Sequence, residues 1–451
     1  MVHNRIFVIV AALSLGSASA VAQQGEATPG RAEWTLAECI DRALERNISI
    51  KQSRNRRMQQ DVQLNTDKWS RLPSVDASAG QNFSFGRGLT EDNTYTNTNT
   101  SSTSFSVGAS VPLFTGMRIT NSIKLGRLNL EAATADLEKA GNDVRVQVAQ
   151  AYVQALYDME VVGVACRQVA IDSMQVERLR AMKSHGKASP ADLSQQEATL
   201  AQSRLTATQA EGNRSLSLLA LSQLLELQSA EGFAIALPDT SGMEARCSSL
   251  PAADAVYAEA LGIMPEVKAE QIRLKGADYS VKVAQAAFYP QLSLTAGLGT
   301  NYYRTSGYSA SSFASQMRNN FSQYVGLSLN VPLFNRFQTR NSVRAARIDR
   351  QTQALQLENV KKNLYKEIQT ACLNARNAGA KYVSCRAALR SFEDAFSLTQ
   401  AKYENGKATI TEFNEAKNNL MKAQSDLAQS RYEYLYQVAL VDFYRGRQLA
   451  F

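Results

Sequence analysis

The chain has 451 residues, with 49 Lys and Arg against 41 Asp and Glu; the formal charge of +8 is scattered among acids, which argues for solvated helix faces rather than a nucleic-acid stripe. Two His and five Cys in the whole chain leave no His/Cys metal cluster, no His-based nucleophile system and no disulfide framework, and nothing calls for a cofactor.

Residues 1–22 have the form of a removable secretory signal. Arg5 precedes the apolar run Ile6 to Leu15, and small-residue cleavage sites follow at Ala18-Ser19-Ala20 or Ala20-Val21-Ala22. That run is too short to cross a bilayer, and no later segment offers the ~20 continuous apolar residues of a transmembrane helix. An exported chain of this kind is either soluble or enters a membrane as a β-barrel, the only other spanning structure. Cys372 and Cys385 fall on one predicted helix about 20 Å apart, beyond bridging distance. A Cys39–Cys247 bond stays open beside free buried thiols.

The chain repeats itself. Val111-Pro112-Leu113-Phe114 returns as Val331-Pro332-Leu333-Phe334, and Gly186-Lys187-Ala188 returns as Gly406-Lys407-Ala408, both 220 residues later. Such self-similarity marks a duplicated structural unit. The first unit spans 23–228 and the second 261–451, with 229–260 as an equatorial linker.

Each unit begins with a helix, the first from about Leu36 to Ser70, ended by Pro73. A hairpin follows at about 73–113. Val75, Ala77, Ala79, Phe83 and Phe85 alternate with Asp76, Ser78, Asn82 and Ser84, then Phe105, Val107, Ala109, Val111 and Leu113 alternate with serines and Gly108. Period two predicts strands with one apolar and one polar face. The second hairpin, about 290–333, repeats this with Leu292, Leu294, Ala296 and Leu298, then Phe321, Val325, Leu327, Leu329 and Val331. Four strands of about ten residues suit a tilted membrane crossing, with aromatics near their ends. Four strands cannot close a barrel, which takes about eight. Three copies of the chain would supply twelve.

Stretches 116–184 and 336–404 contain almost no Pro and predict helical rods on the order of 100 Å. Rods this long without internal caps indicate coiled-coil packing. Gly186 and Gly406 end them, and return helices run through 190–228 and 410–445.

In this order and doubled spacing, the Val-Pro-Leu-Phe strand exits and the Tyr403-x-x-Gly406 turn resemble TolC-type outer-membrane efflux proteins, over about residues 33 to 447. The resemblance implies a mainly α chain whose homotrimer forms a 12-strand β-barrel in the outer membrane and an α-helical barrel in the periplasm. It implies a duct for efflux or secretion, without enzymatic chemistry, that is opened at its tip by a periplasmic adaptor and an inner-membrane pump. By the family's pattern Glu412 and Glu415 line the periplasmic aperture. Tyr403, Asp192 and Lys407 form the gate latch, Ala408 standing where the family has Arg. Gly186, Lys187, Gly406 and Lys407 are docking candidates for the adaptor. The rival expectation is a soluble periplasmic coiled-coil adaptor or scaffold.

Overall fold

A computed structural model describes residues 33–89, 93–97, 99–229, 231–238 and 251–450. The signal segment and Cys247 lie outside these residues.

The first helical stretch is two helices, α1 (Leu36–Arg46) and α2 (Ile48–Trp69), rather than one. Asn47 makes the break. Its backbone is extended (ψ 134°), and its side chain accepts from the Ser49 N–H at 2.9 Å while donating to the Leu224 carbonyl at 3.1 Å. Asn competes with the helix for backbone bonds in this way, so it favours caps over helix interiors.

Strands β1 (Ser74–Ser84) and β4 (Thr100–Phe114) form the first hairpin, and the loop between them carries a small ribbon, β2 (Arg87–Leu89) with β3 (Tyr95–Asn97). The second hairpin joins β5 (Gln291–Thr305) to β6 (Ser322–Asn330), with the short helix α7 (Phe313–Asn319) in its loop. The hairpins are not isolated. Strand β4 pairs antiparallel with β5, giving one four-stranded sheet of order β1-β4-β5-β6.

Register places the apolar residues of all four strands on one side. Val75, Ala109, Ala296 and Val325 form one row, Ala77, Val107 and Leu298 a second, and Val111, Leu294 and Leu327 a third. The opposite face carries Ser78, Ser106, Gly299 and Ser322, and beside them Asp76, Gly108, Gly297 and Tyr324. The Tyr324 ring covers Gly297, where a Cβ would stand 2.6 Å from it. Much of the apolar side is exposed in the single chain, Val75, Val325, Leu327 and Leu329 among it. No helix of the described residues is long and apolar enough to cross a membrane.

Beyond the sheet run two rods of 67 residues each, α3 (Arg118–Ser184) and α8 (Gln338–Glu404), both about 100 Å long. The return helices α4 (Pro190–Leu224) and α9 (Ile410–Tyr444) lie beside their distal halves. Helices α2 and α6 (Pro265–Gln285) occupy the halves nearer the sheet, and α5 (Ala253–Ile263) sits at mid-height. Neighbours run α4-α3-α9-α8 toward the tip and α2-α3-α6-α8 toward the sheet.

The main core lies where these layers meet. Cys39, Ala43, Val148, Ala149, Ala155, Leu156, Leu221 and Tyr434 pack there with Ile235 from the linker. Alanines let the rods approach closely, which fills the seam without long side chains. Trp34 bridges to Ile235, and the Tyr152 hydroxyl reaches the Trp34 and Ala236 carbonyls at 3.1 and 2.6 Å. Cys39 is a buried thiol whose pKa is pushed up to about 12, first by desolvation and then by Glu38.

Candidate functional site

The far ends of the rods turn in the same way. Gly186 (φ 69°) and Gly406 (φ 71°) take the left-handed conformation. The Gly186 and Lys187 amides donate to the Lys183 and Met182 carbonyls at 3.0 and 2.8 Å. Gly406 and Lys407 do the same to Tyr403 and Lys402, at 3.0 and 2.8 Å. Both are Schellman turns, in which glycine carries the positive φ and the last orphan carbonyls are satisfied. The side chains of Lys187 and Lys407 stand exposed at the two apices.

The return helices start on caps. Ser189 accepts from the Ala191 amide at 3.1 Å with Pro190 in the first turn. Thr409 makes a full capping box with Glu412: the Glu412 amide donates to Thr409 Oγ1 at 3.2 Å, and the Thr409 amide donates to Glu412 Oε2 at 2.7 Å. The Glu412 carboxylate therefore bends back onto its own helix end. Those hydrogen bonds, the backbone one first, hold its pKa below the ordinary glutamate value. Glu415, one turn on, is exposed and makes no cap. The pattern Thr-x-x-Glu carries this signal in the sequence.

Of the expected latch, Asp192 lies near enough to Tyr403 to act on its phenol, and the Lys407 side chain is exposed. The Tyr403 ring stacks on the buried Phe413 at 5.0 Å, and Phe396 meets Phe413 tilted at 5.6 Å. Arg178, from α3, lies over the Tyr403 ring at 5.5 Å. Burial pushes the Tyr403 phenol up, Arg178 opposes that, and Asp192 adds to it. Arg178 follows from nothing in the linear pattern, because only the packing of α3 against the second tip brings it there.

Just above the tips sits a polar hub. Lys417 of α9 pairs with Asp172 of α3, their side chains 1% and 0% exposed. Asp172 also accepts from Gln168 at 3.0 Å, Gln196 at 3.1 Å and Ser203 at 2.5 Å. Asn414 accepts from Lys417 at 3.2 Å and donates to Gln196 at 3.1 Å. Three helices thus share one buried charge pair whose lone pairs are occupied, the condition under which such a pair is tolerated. The twelve residues from Asp172 to Ser184 put the hub about 18 Å from the apex.

No group of three or more His, Cys, Asp and Glu among the described residues could hold a metal ion. What the site offers is a set of breakable links between two helical hairpins, with carboxylates and lysines at their ends.

A sheet with one apolar face, set on long helical hairpins with linked tips, defines a channel-forming outer-membrane protein with a periplasmic extension. The sequence model for "Outer membrane efflux protein" matches residues 39–226 and 256–446, and the chain belongs to that family. It is similar to Protein CyaE of Bordetella pertussis, 26% identical over 424 residues, covering 93% of this chain and 83% of that protein. The outer membrane efflux protein BepC of Brucella suis is 23% identical over 424 residues, covering 92% of this chain and 86% of its own length. The fold is similar to the Campylobacter jejuni CmeC outer membrane channel, with a TM-score of 0.75 and 18% identity over 92% of this chain and 87% of that one.

Proposed function

We propose that three copies of this chain close into one conduit, each giving its four strands to a twelve-stranded barrel in the outer membrane and its rods to a helical tube in the periplasm. The observation that carries this reading is the sheet itself. It has one continuous apolar face and two unpaired edges, β1 and β6, too few strands to seal alone and an edge pattern that a second copy completes head to tail. The outer helices of the tip layer also carry exposed apolar residues, Ile348, Leu355, Leu373 and Leu398 on α8, and Leu205 and Leu216 on α4.

On this reading the conduit performs no chemistry. Glu415, with Glu412 beside it, surrounds the periplasmic aperture in three copies and attracts cations. Tyr403, Arg178 and Asp192 hold the closed tip, and Lys407 stands beside them. An adaptor binds at Gly186, Lys187, Gly406 and Lys407, and with an inner-membrane pump it favours the open arrangement by binding it more tightly. Family membership supports this over a soluble periplasmic adaptor.

The test is assembly. Purified from outer membranes in detergent, the protein should have the mass of three chains, shift on SDS gels when heated, and conduct ions in planar bilayers. A monomer that stays in solution without detergent would refute the reading.

A further inference from the structure

Below β6 the chain leaves the sheet through Val331-Pro332-Leu333-Phe334 and enters α8 through Asn335, Arg336 and Phe337. Leu333 is 92% exposed, Phe334 73% and Phe337 57%, and the two rings meet edge-on at 5.5 Å. Arg336 (φ 56°) and Phe337 (φ 61°) are both left-handed, a strained choice for residues with side chains that persists only where the surrounding fold imposes it. At the matching places 220 residues earlier, Gly116 and Met117 have φ 60° and 66°. The turn therefore belongs to the fold. The residues on it differ, since Gly116, Thr120 and Lys124 stand where the second repeat has Arg336, Arg340 and Arg344, and Lys124 lies over the Tyr279 ring at 5.7 Å.

Arg340 and Arg344 stand one helical turn apart on one side of the rod entrance, and Arg336 precedes them on the left-handed turn. All three are exposed, and among the described residues no carboxylate forms an ion pair with any of them. The Arg340 guanidinium lies 5.9 Å from the centre of the Phe337 ring. Leu333 follows the last residue of β6 by three positions, so the cluster begins directly beneath the end of the sheet. Aromatic rings with arginines immediately below them match the layering of a membrane surface, where rings lie at headgroup level and guanidinium groups reach phosphate. Guanidinium also fits phosphate oxygens with two parallel hydrogen bonds.

We propose that Arg336, Arg340 and Arg344, with Phe334 and Phe337, bind the phosphate of an anionic phospholipid headgroup on the periplasmic side of the outer membrane. The first repeat keeps only Lys124 of the three basic positions, so the full arginine set occurs once per chain. It rests on the reading of the sheet as membrane-spanning.

The experiment uses the full chain with Trp34→Phe and Trp69→Phe, reconstituted in phosphatidylcholine vesicles containing brominated phosphatidylglycerol or brominated phosphatidylcholine. In this background Phe337→Trp supplies a probe at the site and Leu327→Trp a control in mid-sheet. The indole at 337 should be quenched preferentially by brominated phosphatidylglycerol, by a ratio on the order of fivefold for an engaged arginine. Arg336→Gln/Arg340→Gln/Arg344→Gln should bring the ratio to one, and the matching lysine triple should keep most of it. The indole at 327 should be quenched equally by both lipids. Quenching at 327 with none, or with no headgroup preference, at 337 overturns the lipid site. Loss of the preference on adding inorganic phosphate overturns the lipid as ligand in favour of a free anion. Failure of quenching at both positions instead removes the membrane-spanning reading beneath it.

Discussion

Lys417 and Asp172 are 245 residues apart in sequence and meet as a buried ion pair that ties the second return helix to the first rod. Burying two charges is costly, and breaking one side of such a pair costs about 3–5 kcal/mol because the other charge is left uncompensated. Lys417→Met should therefore lower the heat-dissociation temperature of the detergent-purified protein sharply. Adding Asp172→Asn should restore more than half of the loss. An additive double mutant would mean the two side chains do not act as a unit.

Glu412 and Glu415 should separate by role. Glu412→Ala removes half of the capping box, visible as faster amide exchange in the first turn of α9, whereas Glu412→Gln keeps the box. Glu415→Gln should leave that exchange unchanged yet weaken divalent-cation block in planar bilayers. Unaltered block in the Glu412→Gln/Glu415→Gln double mutant would end the aperture assignment.

The cap should also respond to acid. The folded pKa of Glu412 lies below its ordinary value of 4.5, so its contribution is complete above that value and is lost as pH falls through the depressed one. Protection factors at the start of α9, corrected for intrinsic exchange, should fall as pH drops below the ordinary glutamate value in the parent protein and hold in Glu412→Gln.

Arg178→Gln takes away a cation–π contact on a half-buried ring worth about 0.5–1 kcal/mol. If that contact holds the closed tip, the closed-to-open ratio of single channels should drop about two- to fivefold. Tyr403→Leu should have a similar effect, and the two together should be less than additive.

Gly116→Ala and Gly406→Ala both place a side chain on positive φ, but only the first also collides. A Cβ on Gly116 would come within 2.7 Å of the Ala286 carbonyl and of Tyr289, whereas around Gly406 the space is open. Gly406→Ala should cost about 1 kcal/mol and Gly116→Ala clearly more, measured as the temperature at which the heat shift on SDS gels occurs.

Much of the fold is visible in one dimension because it obeys simple periods. Val75 to Phe83 and Leu292 to Leu298 alternate, and alternation belongs to a strand with one wet side. The rod ends are visible at Gly186 and Gly406 because a left-handed turn selects glycine. The break at Asn47 is local too, yet it is masked by helix-forming neighbours on both sides. The hub is different. Lys417 and Asp172 each look like one more charge on a long polar helix, and only the docking of α3 on α9 buries them. Arg178 is hidden for the same reason. Glu412 is legible in a second way, because Thr409-x-x-Glu412 announces the capping box that the structure forms.

Strand β4 meets β5 inside a single chain, so on the three-copy reading the wall has six joints between hairpins, of which three are built in by covalent connection and three form only on encounter. A newly exported molecule thus arrives with one joint complete and two raw margins, β1 and β6, each shaped to accept the opposite margin of another molecule. Maturation should accordingly depend on how many molecules are exported at once. A strand-mimicking peptide that covers either margin would strand the chain half-built in the periplasm.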